Sequence, residues 1–521
     1  MKKIITPLIF LFLFNCAFAQ QVTYSKVLYD SLTSGIQATG VVKSFHKGYI
    51  IIGESPNGGQ KGLIMKVDTL GFHVFGNRVS RYNSGSQPMI AFYQAITTVD
   101  SNYILCGSVY DSTSNLQRGM LLKFNDSGYI LWAKQYAFSN ASLTLTSLNQ
   151  TNDSGFVVCG YQTVSNIKHE FVAKTDKNGL LQWGEVINAT GSLNDVATSV
   201  IQLPDSTFML TGYHAISTSK NNAFLTRLNK NGGAIFSKQY YSTNSSIRSS
   251  DIVLKSNNPY LLIDDGYCSL IKTDTAGNIV WKKAYQSGGY GYPTFINQTP
   301  YSRLHVSNTN GFYFYSSNNI FGDPFYKVDS VGNIQATSSN YLYASIDVVQ
   351  ENDSGFFFVG NGPSIGVRMV YGSNNAPQIG IIKTDTSGND ISGCIYMNGV
   401  AHVTDSFIVS SLPVVNSGTV IESNLPLNSQ LFYFETRNGC IDITGGMATN
   451  KAPKITLYPN PASSTLYVSD ENEQLTELRL TDVLGNLLLV TNQKEINISA
   501  LANGVYFLQA GSSTQKIIVQ H

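Results

Sequence analysis

Residues 271–285 read IKTDTAGNIVWKKAY, and this stretch is one of several related copies in the chain. In each copy a basic residue is followed by a polar turn that ends at a glycine, and neighbouring copies are about 53 residues apart on average. Seven glycines mark the copies: Gly71, Gly128, Gly179, Gly232, Gly277, Gly332 and Gly388. A repeat of this length is typical of an architecture that uses one supersecondary unit many times.

The register of the repeat extends beyond the turn. All three tryptophans, Trp132, Trp183 and Trp281, lie four residues after their glycine, and Phe75 and Phe236 take the same position in two other copies. A short polar turn and an apolar strand pattern such as YILCG precede the copies. We therefore expect four short strands in each unit, with the glycine supplying the positive φ of a bulged hairpin turn.

Four-stranded units at this period predict an all-β fold, in which each unit is one blade of a β-propeller. Seven copies favour seven blades over residues 20–396. Residues 24–30 (YSKVLYD) have the pattern of an outer strand. They could close the last blade, or complete an eighth blade whose other strands come from residues 401–436, and we favour the first arrangement.

The turn D-x-x-G followed by tryptophan resembles the repeats of quinoprotein-like seven-bladed propellers. The resemblance covers residues 20–396 and implies a fold rather than an activity. Quinone-cofactor enzymes of that class use adjacent cysteines and a calcium site, whereas this chain contains no Cys-Cys pair. We therefore expect no cofactor.

Composition and the N-terminus indicate an exported protein. Charged residues make up 13% of the chain, and 34 Lys and Arg nearly balance 33 Asp and Glu, so no nucleic acid partner is expected. Two lysines, an apolar run and a small-x-small triplet predict a signal peptide over residues 1–19, cleaved between Ala19 and Gln20. No later run is long enough to predict a transmembrane segment.

Residues 454–521 differ in character, because seven short alternating segments separated by turns predict a small Ig-like β-sandwich. Residues across this module resemble the type A sorting domain of the Bacteroidetes type IX secretion system: Tyr458, Pro459, Asn460, Pro461, Gly485, Gly504, Val505, Tyr506 and Lys516. The resemblance implies recognition by the type IX secretion machinery and export through the periplasm. It also implies an extracellular or outer-surface location, with release or attachment to surface lipopolysaccharide. Residues 397–453, rich in Ser, Asn and Pro, are expected to be a connector.

No catalytic or metal-binding constellation is predicted. The sequence GPSIG at residues 362–366 fits G-x-S-x-G but lacks a following helical pattern. The seven histidines show no ligand spacing. Cys106 and Cys159 fall at matching strand positions and are expected to be buried, whereas pairing of Cys394 with Cys440 is left open.

Propeller connectivity separates two kinds of loop onto opposite faces. The loops between strands 1 and 2 and between strands 3 and 4 are short and uniform, and we call their side the turn face. The loops between strands 2 and 3 and between blades are predicted to be long and varied, for example at residues 161–170 and 213–222, and we call their side the loop face. Six tyrosines are candidate ligand contacts on the loop face: Tyr240, Tyr241, Tyr290, Tyr292, Tyr341 and Tyr343.

The sequence therefore favours an exported, non-enzymatic propeller that binds a glycan or protein ligand at the cell surface or after secretion. Two alternatives stay open. One is an extracellular glycan-active hydrolase or lyase, which would need carboxylates converging from several blades at the central channel. The other is a structural surface component.

Overall fold

The computed structural model describes residues 24–29, 36–55, 61–81, 89–189, 192–243, 245–265, 267–286, 303–315, 323–340, 344–351, 355–361, 379–384, 401–403, 408–411, 414–417, 421–424, 427–431, 435–438, 455–470, 478–482, 487–510 and 513–521. The chain divides into two compact units, residues 1–443 and 444–521. The described residues contain strands and no α-helix, which confirms the all-β fold class. Across these ranges there is accordingly no helix suited to crossing a membrane.

In the described part of the first unit, the strands form seven antiparallel sheets. The innermost strands of successive sheets adjoin one another, and the innermost strand of the last sheet adjoins that of the first. This arrangement confirms the predicted β-propeller. From the centre outwards, blade 1 contains β2 (Gln37–Lys43), β3 (Tyr49–Ser55), β4 (Lys61–Val67) and β5 (His73–Arg81), and blade 2 contains β6 (Ile90–Thr97), β7 (Tyr103–Asp111), β8 (Leu116–Phe124) and β9 (Ile130–Ala137). Blade 3 contains β10 (Ser142–Gln150), β11 (Phe156–Val164), β12 (Ile167–Thr175) and β13 (Leu181–Ala189); blade 4 contains β14 (Asn194–Gln202), β15 (Phe208–Ala215), β16 (Asn221–Leu228) and β17 (Ala234–Tyr241). Blade 5 contains β18 (Arg248–Lys255), β19 (Asn258–Asp264), β20 (Cys268–Thr273) and β21 (Ile279–Gln286); blade 6 contains β22 (Leu304–Val306), β23 (Phe312–Tyr315), β24 (Asp323–Val328) and β25 (Ile334–Asn340); and blade 7 contains β26 (Ala344–Gln350), β27 (Phe356–Asn361), β28 (Ile379–Thr384) and β1 (Tyr24–Tyr29).

The N-terminal strand β1 is the fourth strand of blade 7. It pairs antiparallel with β28, from Tyr24 opposite Lys383 to Leu28 opposite Ile379. Leu28 is completely buried in the core between blades 7 and 1. The N-terminal segment thus closes the last blade, which is the arrangement favoured from the sequence.

Six short strands within residues 401–438 form a belt around the propeller, so the described part of the predicted connector pairs with the blades. Each belt strand pairs antiparallel with the fourth strand of one blade, near the C-terminal end of that strand. The belt follows the ring in the order of blades 5, 4, 3, 2, 1 and 7, opposite to the order in which the chain builds them. Its strands are β29 (Ala401–Val403), β30 (Ile408–Ser411), β31 (Val414–Ser417), β32 (Ile421–Asn424), β33 (Leu427–Leu431) and β34 (Glu435–Asn438).

The sequence conceals the belt for a physical reason. An outer blade strand presents a row of backbone N–H and C=O groups that any short extended segment can satisfy. Belt strands of three to five residues are too short to show a clear alternation of apolar and polar side chains. The serine, asparagine and proline residues of this segment therefore give it the composition of a linker, although its strands add a fifth strand to six sheets.

The turn between strands 3 and 4 has the predicted geometry in blades 1 to 6, where each turn glycine has a positive φ. In blade 5, the Asp274 carboxylate accepts hydrogen bonds from the backbone N–H groups of Ala276 (2.9 Å) and Asn278 (2.8 Å). Gly277 has a φ of 77°, a left-handed value that glycine adopts without steric cost. The ladder shifts register beside the turn, between Lys272 and Thr273, which confirms the predicted bulge.

In blades 1 to 5, the aromatic residue four positions after the turn glycine packs against the turn glycine of the next blade. A Cβ atom on Gly179 would lie 2.9 Å from the Trp132 ring, and one on Gly232 would lie 2.7 Å from the Trp183 ring. The same contact joins the pairs Phe75 and Gly128, Phe236 and Gly277, and Trp281 and Gly332. The repeated glycine is therefore required both by its φ and by the aromatic ring seated on it.

The second unit contains two antiparallel sheets that enclose one apolar core, as expected for a small β-sandwich. The core includes Leu466, Leu480, Leu508 and Ile517, each at most 2% exposed. One sheet has the order β35-β36-β39 and the other β38-β37-β40-β41. The strands are β35 (Ile455–Tyr458), β36 (Thr465–Asp470), β37 (Leu478–Asp482), β38 (Leu487–Thr491), β39 (Glu495–Asn497), β40 (Gly504–Ala510) and β41 (Ser513–Val519).

The turn of blade 4 permits a matched test of the glycine–aromatic contact. Gly232→Ala should lower the free energy of unfolding by about 2 kcal/mol, because it forces a left-handed φ on alanine and a methyl group into Trp183. Gly233→Ala is the control, since a Cβ there meets only the side chain of Asn229. Thermal or urea unfolding of both variants measures the difference, and equal stability would contradict the proposed role of Gly232.

Engineered disulfides test the reversed order of the belt. Ala137 lies directly opposite Ile421, and Ala189 lies directly opposite Val414. Opposed residues of antiparallel strands are about 4.5–5.5 Å apart at Cα, within reach of a disulfide. The pair Ala137→Cys with Ile421→Cys should cross-link on oxidation, whereas Ala137→Cys with Val414→Cys should not, as judged by non-reducing gels and peptide mass spectrometry. Cross-linking of only the second pair would show that the belt runs differently.

Candidate functional site

The basic residue of the repeated motif connects the two short turns on the turn face. In blades 2, 3 and 4, a Lys or Arg of strand 3 donates a hydrogen bond to the aspartate in the turn between strands 1 and 2. The nitrogen-to-oxygen distances are 2.6 Å for Lys123 and Asp100, 2.9 Å for Lys174 and Asp153, and 2.5 Å for Arg227 and Asp205. The lysines, aspartates and glycines of the motif are therefore structural, which explains why the turn face is uniform.

Blade 1 lacks an aspartate in its first turn, and Lys66 instead reaches Asp126 of blade 2 at 2.5 Å. Tyr103 and Ser44 also donate hydrogen bonds to this carboxylate. Partial burial acts to raise the pKa of Asp126, but the hydrogen bonds from Lys66, Tyr103 and Ser44 outweigh it and lower the pKa to about 2. The group is thus a permanently charged structural acceptor at ordinary pH.

One arginine crosses the central channel. Arg303 directly precedes β22 of blade 6, and its Nη2 donates to the backbone carbonyl of Tyr93 in blade 2, at 3.2 Å. Blades 2 and 6 are three places apart around the ring, so this bond spans the centre. Burial acts to lower the pKa of Arg303, but the carboxylates of Asp251 and Asp347 raise it above its ordinary value.

These two carboxylates come from blades 5 and 7 and act on Arg303 through their charge. Asp251 accepts from the backbone N–H groups of Ile252 and Leu304, both at 2.9 Å. Asp347 accepts from the N–H of Val41 at 3.1 Å and contacts Nε2 of His305 at 3.0 Å. Both carboxylates are therefore engaged in holding neighbouring blades together, and their chemistry is that of structural acceptors.

The tyrosines predicted to contact a ligand divide into three groups. Tyr240 is completely buried, and its hydroxyl donates to the carbonyl of Gly277 at 2.8 Å. Its assignment as a ligand contact is therefore wrong, because it lies eight residues after its turn glycine, where Tyr136 and Tyr285 make the same bond to the next blade. Tyr241 is partly exposed at the end of β17. The other four, Tyr290, Tyr292, Tyr341 and Tyr343, lie outside the described residues.

Two other tyrosines on the loop face lie beneath cationic side chains. The Lys168 ammonium is 4.3 Å from the centre of the Tyr161 ring, and the Arg248 guanidinium is 4.7 Å from the centre of the Tyr213 ring. Burial raises the pKa of the Tyr213 hydroxyl, and Arg248 partly opposes this. The positions of both tyrosines could have been predicted from the repeat, because each directly follows the glycine of the second strand in its blade.

The loops between strands 2 and 3 are shorter than the sequence indicates wherever they are described. In blade 3, pairing continues to Val164 opposite Ile167, which leaves a two-residue turn of Ser165 and Asn166 with φ of 48° and 66°. In blade 4, β15 extends to Ala215 and the connecting loop covers residues 216–220. The polar residues that were predicted to form loops thus extend the strands beyond the core. Strand pairing is possible there because it does not require apolar side chains at the loop-face end of a blade.

A buried acidic cluster lies between blades 3 and 4. Nδ1 of His214 is 2.8 Å from Asp195 and 3.6 Å from Glu170, and all three side chains are at most 3% exposed. Both carboxylate oxygens of Glu170 and Nε2 of His214 are buried without a hydrogen-bond partner. Burial raises the pKa of Glu170 well above its ordinary value, and the charge of Asp195 adds to this effect.

The second unit shows what several sorting-motif residues do in the fold. The Asn460 amide donates to the carbonyl of Lys516 at 2.8 Å, and its oxygen accepts from the N–H of Ile518 at 2.8 Å. Ala462 continues this pairing along β41. The segment around Pro459 and Pro461 thus covers the outer edge of the last strand.

The remaining sorting-motif residues take different positions. Tyr506 is nearly buried, with its hydroxyl donating to Ala502 at 2.8 Å, and Gly504 begins β40. The side chains of Tyr458 and Lys516 are exposed, and that of Val505 is partly buried. Gly485 lies outside the described residues, as do Ala19 and Gln20.

The cysteines and metal-ligand residues add no reactive centre within the described ranges. Cys106 and Cys159 are buried thiols, as predicted, and Cys268 is buried as well. Cys394 and Cys440 lie outside these ranges. Among the described side chains, no group of three or more His, Cys, Asp or Glu has a geometry that could hold a metal ion.

Comparison with known families identifies the second unit. Residues 456–520 match the family model described as the secretion system C-terminal sorting domain. This confirms the type IX sorting domain predicted from the sequence. The protein is therefore a type IX secretion cargo with a propeller-like fold, and its sorting domain indicates export to the cell surface or the extracellular space.

Solved structures match at low similarity. They include a protein of unknown function from Bacteroides caccae, with 9% identity and a TM-score of 0.35 over 62% of this chain and 96% of that one. A Dyadobacter fermentans protein of unknown function has 8% identity and a TM-score of 0.38 over 59% and 99%. The Dos1 propeller has 12% identity and a TM-score of 0.39 over 68% and 79%. No curated protein matches the chain.

The acidic cluster predicts an unusual pH dependence of stability. Because the pKa of Glu170 is raised in the folded state, its protonated form is favoured, and the native protein loses stability as the pH rises above about 4.5, the ordinary value. Glu170→Gln should therefore be more stable than the native protein at pH 7–8, by about 1–3 kcal/mol, and should match it near pH 4. Thermal unfolding from pH 4 to 8 measures this.

The control for this prediction is Glu185→Gln in the same blade, because Glu185 is partly exposed. This variant should show no gain at neutral pH. A constant difference between Glu170→Gln and the native protein across the whole pH range would contradict the argument.

Proposed function

We propose that the protein is a non-enzymatic binding protein of the outer cell surface or the extracellular space, and that its loop face takes up a glycan or protein ligand. The observation that carries the proposal is the pair of tyrosine–cation contacts in adjacent blades, Tyr161 with Lys168 and Tyr213 with Arg248. All four side chains are partly exposed.

The chemistry of these contacts suits recognition. Tyrosine presents an apolar ring with a polar hydroxyl, and a cation held over the ring gives a rigid surface that offers both stacking and hydrogen bonds. Sugar rings and protein side chains both use such surfaces. The turn face offers less, since its repeated polar side chains are already paired within the fold.

The state of the channel carboxylates supports binding rather than catalysis. A glycoside hydrolase needs one carboxyl group as acid and another as base or nucleophile beside the substrate. Asp251 and Asp347 instead accept backbone hydrogen bonds that join neighbouring blades. We further propose that the signal peptide is removed between Ala19 and Gln20, and that the exported protein is then released or attached to surface lipopolysaccharide.

Ligand screening of the mature chain tests the proposal. A glycan array and a pull-down from surface extracts should identify a ligand, and Tyr213→Ala should weaken its affinity at least tenfold by titration calorimetry. Tyr129→Ala is the matched control, because this tyrosine is 70% exposed on the turn face, and it should bind normally. Mass spectrometry should recover the ligand intact after incubation.

Two results would overturn the proposal. Cleavage of the ligand by the native protein, abolished by Asp251→Asn or Asp347→Asn in a folded variant, would establish the enzyme. Unchanged affinity of a folded Tyr213→Ala variant, together with loss of binding in Tyr129→Ala, would place the site on the other face.

A further inference from the structure

The two sheets of the sorting unit present different faces to solvent. In the four-stranded sheet, Leu480, Leu508 and Ile517 point into the core, so the intervening positions on the same strands point outward. The outward positions pair across the sheet, with Thr481 and Lys516 both opposite Phe507, and Val505 opposite Ile518. These residues therefore form one continuous surface, which we call the outer face.

The outer face is apolar where a solvated sheet face is normally polar. Val490 is 45% exposed, Phe507 is 37% exposed and Ile518 is 36% exposed, and the partly buried Val505 lies between the last two. Packing within the unit does not account for these side chains, because its core lies on the opposite side of the sheet. Exposed apolar side chains grouped in this way indicate a protein-binding surface.

The charged residues at the described outward positions of this sheet are both basic. Arg479 and Lys516 both point outward, since Arg479 pairs with Val490 and Gln509, and Lys516 pairs with Phe507. The outward positions of β37, β38, β40 and β41, as far as these strands are described, include no aspartate or glutamate. A partner with acidic groups around an apolar contact would be complementary to it.

The sorting-motif residues divide by role. Asn460 and Tyr506 make hydrogen bonds that the sandwich needs, so the fold alone explains their presence. The Lys516 side chain is exposed on the outer face, and Val505 lies beside Phe507 and Ile518 on the same surface. Two motif residues thus belong to the apolar, basic surface rather than to the core.

We propose that the outer face of the four-stranded sheet, centred on Phe507 and Ile518 and edged by Lys516, is the surface by which the type IX secretion machinery binds this cargo. The partner is an apolar protein surface edged by acidic groups. The inference rests on the assignment of the sorting domain and not on the ligand proposed for the propeller.

Export of the full-length protein from a host that carries a type IX system tests the proposal. The double variant Phe507→Thr with Ile518→Thr places threonine, a β-branched residue that favours strands, at both positions. It should remain in the periplasm, with at least a tenfold loss of exported protein. Lys516→Glu should have the same effect through charge. Tyr467→Thr is the control, because Tyr467 is 40% exposed on the other sheet, where it stacks on Tyr458, and it should be exported normally.

Folding and self-association are separated from recognition by two measurements on purified protein. The sorting unit should unfold at a similar temperature in all variants. If the double variant Phe507→Thr with Ile518→Thr unfolds at a lower temperature, the export of Lys516→Glu alone decides the outcome. Normal export of folded Lys516→Glu and of the folded double variant would overturn the proposal. The proposal would also be overturned if the native protein is a dimer and the double variant is a monomer that is exported normally. Normal export after deletion of residues 444–521 would instead refute the sorting assignment.

Discussion

The contact between a left-handed glycine and the aromatic ring of the preceding blade is the interaction on which the propeller depends. It joins turn to strand 4 around the ring, from Phe75 and Gly128 to Trp281 and Gly332. Each contact fixes the distance between two blades, and tyrosine hydroxyls reinforce three of them by bonding to the glycine carbonyl. Because the glycine is needed for both its φ and its missing Cβ, no other residue satisfies the position.

This double requirement explains why so much of the fold could be predicted from the sequence. A position that admits one residue type recurs visibly, and the glycine, the aromatic residue and the turn aspartate therefore revealed the repeat and the hairpins. Closure by β1 was favoured instead from the outer-strand pattern of residues 24–30. The sorting domain was also recognisable, because Asn460 must reach the edge of β41 and Tyr506 must fill the core.

The features that could not be predicted depend on positions that many residues satisfy. The belt needs only extended backbone against an outer strand, so its sequence carries no signature. The residues around Tyr240 have the polar composition of a loop. Only its position, eight residues after a turn glycine, marks Tyr240 as a packing residue. Glu170, Asp195 and His214 come from three strands of two blades and meet only when those blades pack.

The belt also sets a condition on how this cargo reaches its native state. Blade 7 contains β1 from the start of the propeller and β34 from the end of the belt, and these two strands are direct neighbours. The sheet is complete only when residues 24–29 and residues 435–438 have come together, a contact of very long sequence separation that forms slowly. The belt ends at Asn438 and the sorting domain begins at Ile455. The last described strand of the belt therefore comes before the sorting domain in the chain, and a chain long enough to include that domain already contains every described strand of the propeller.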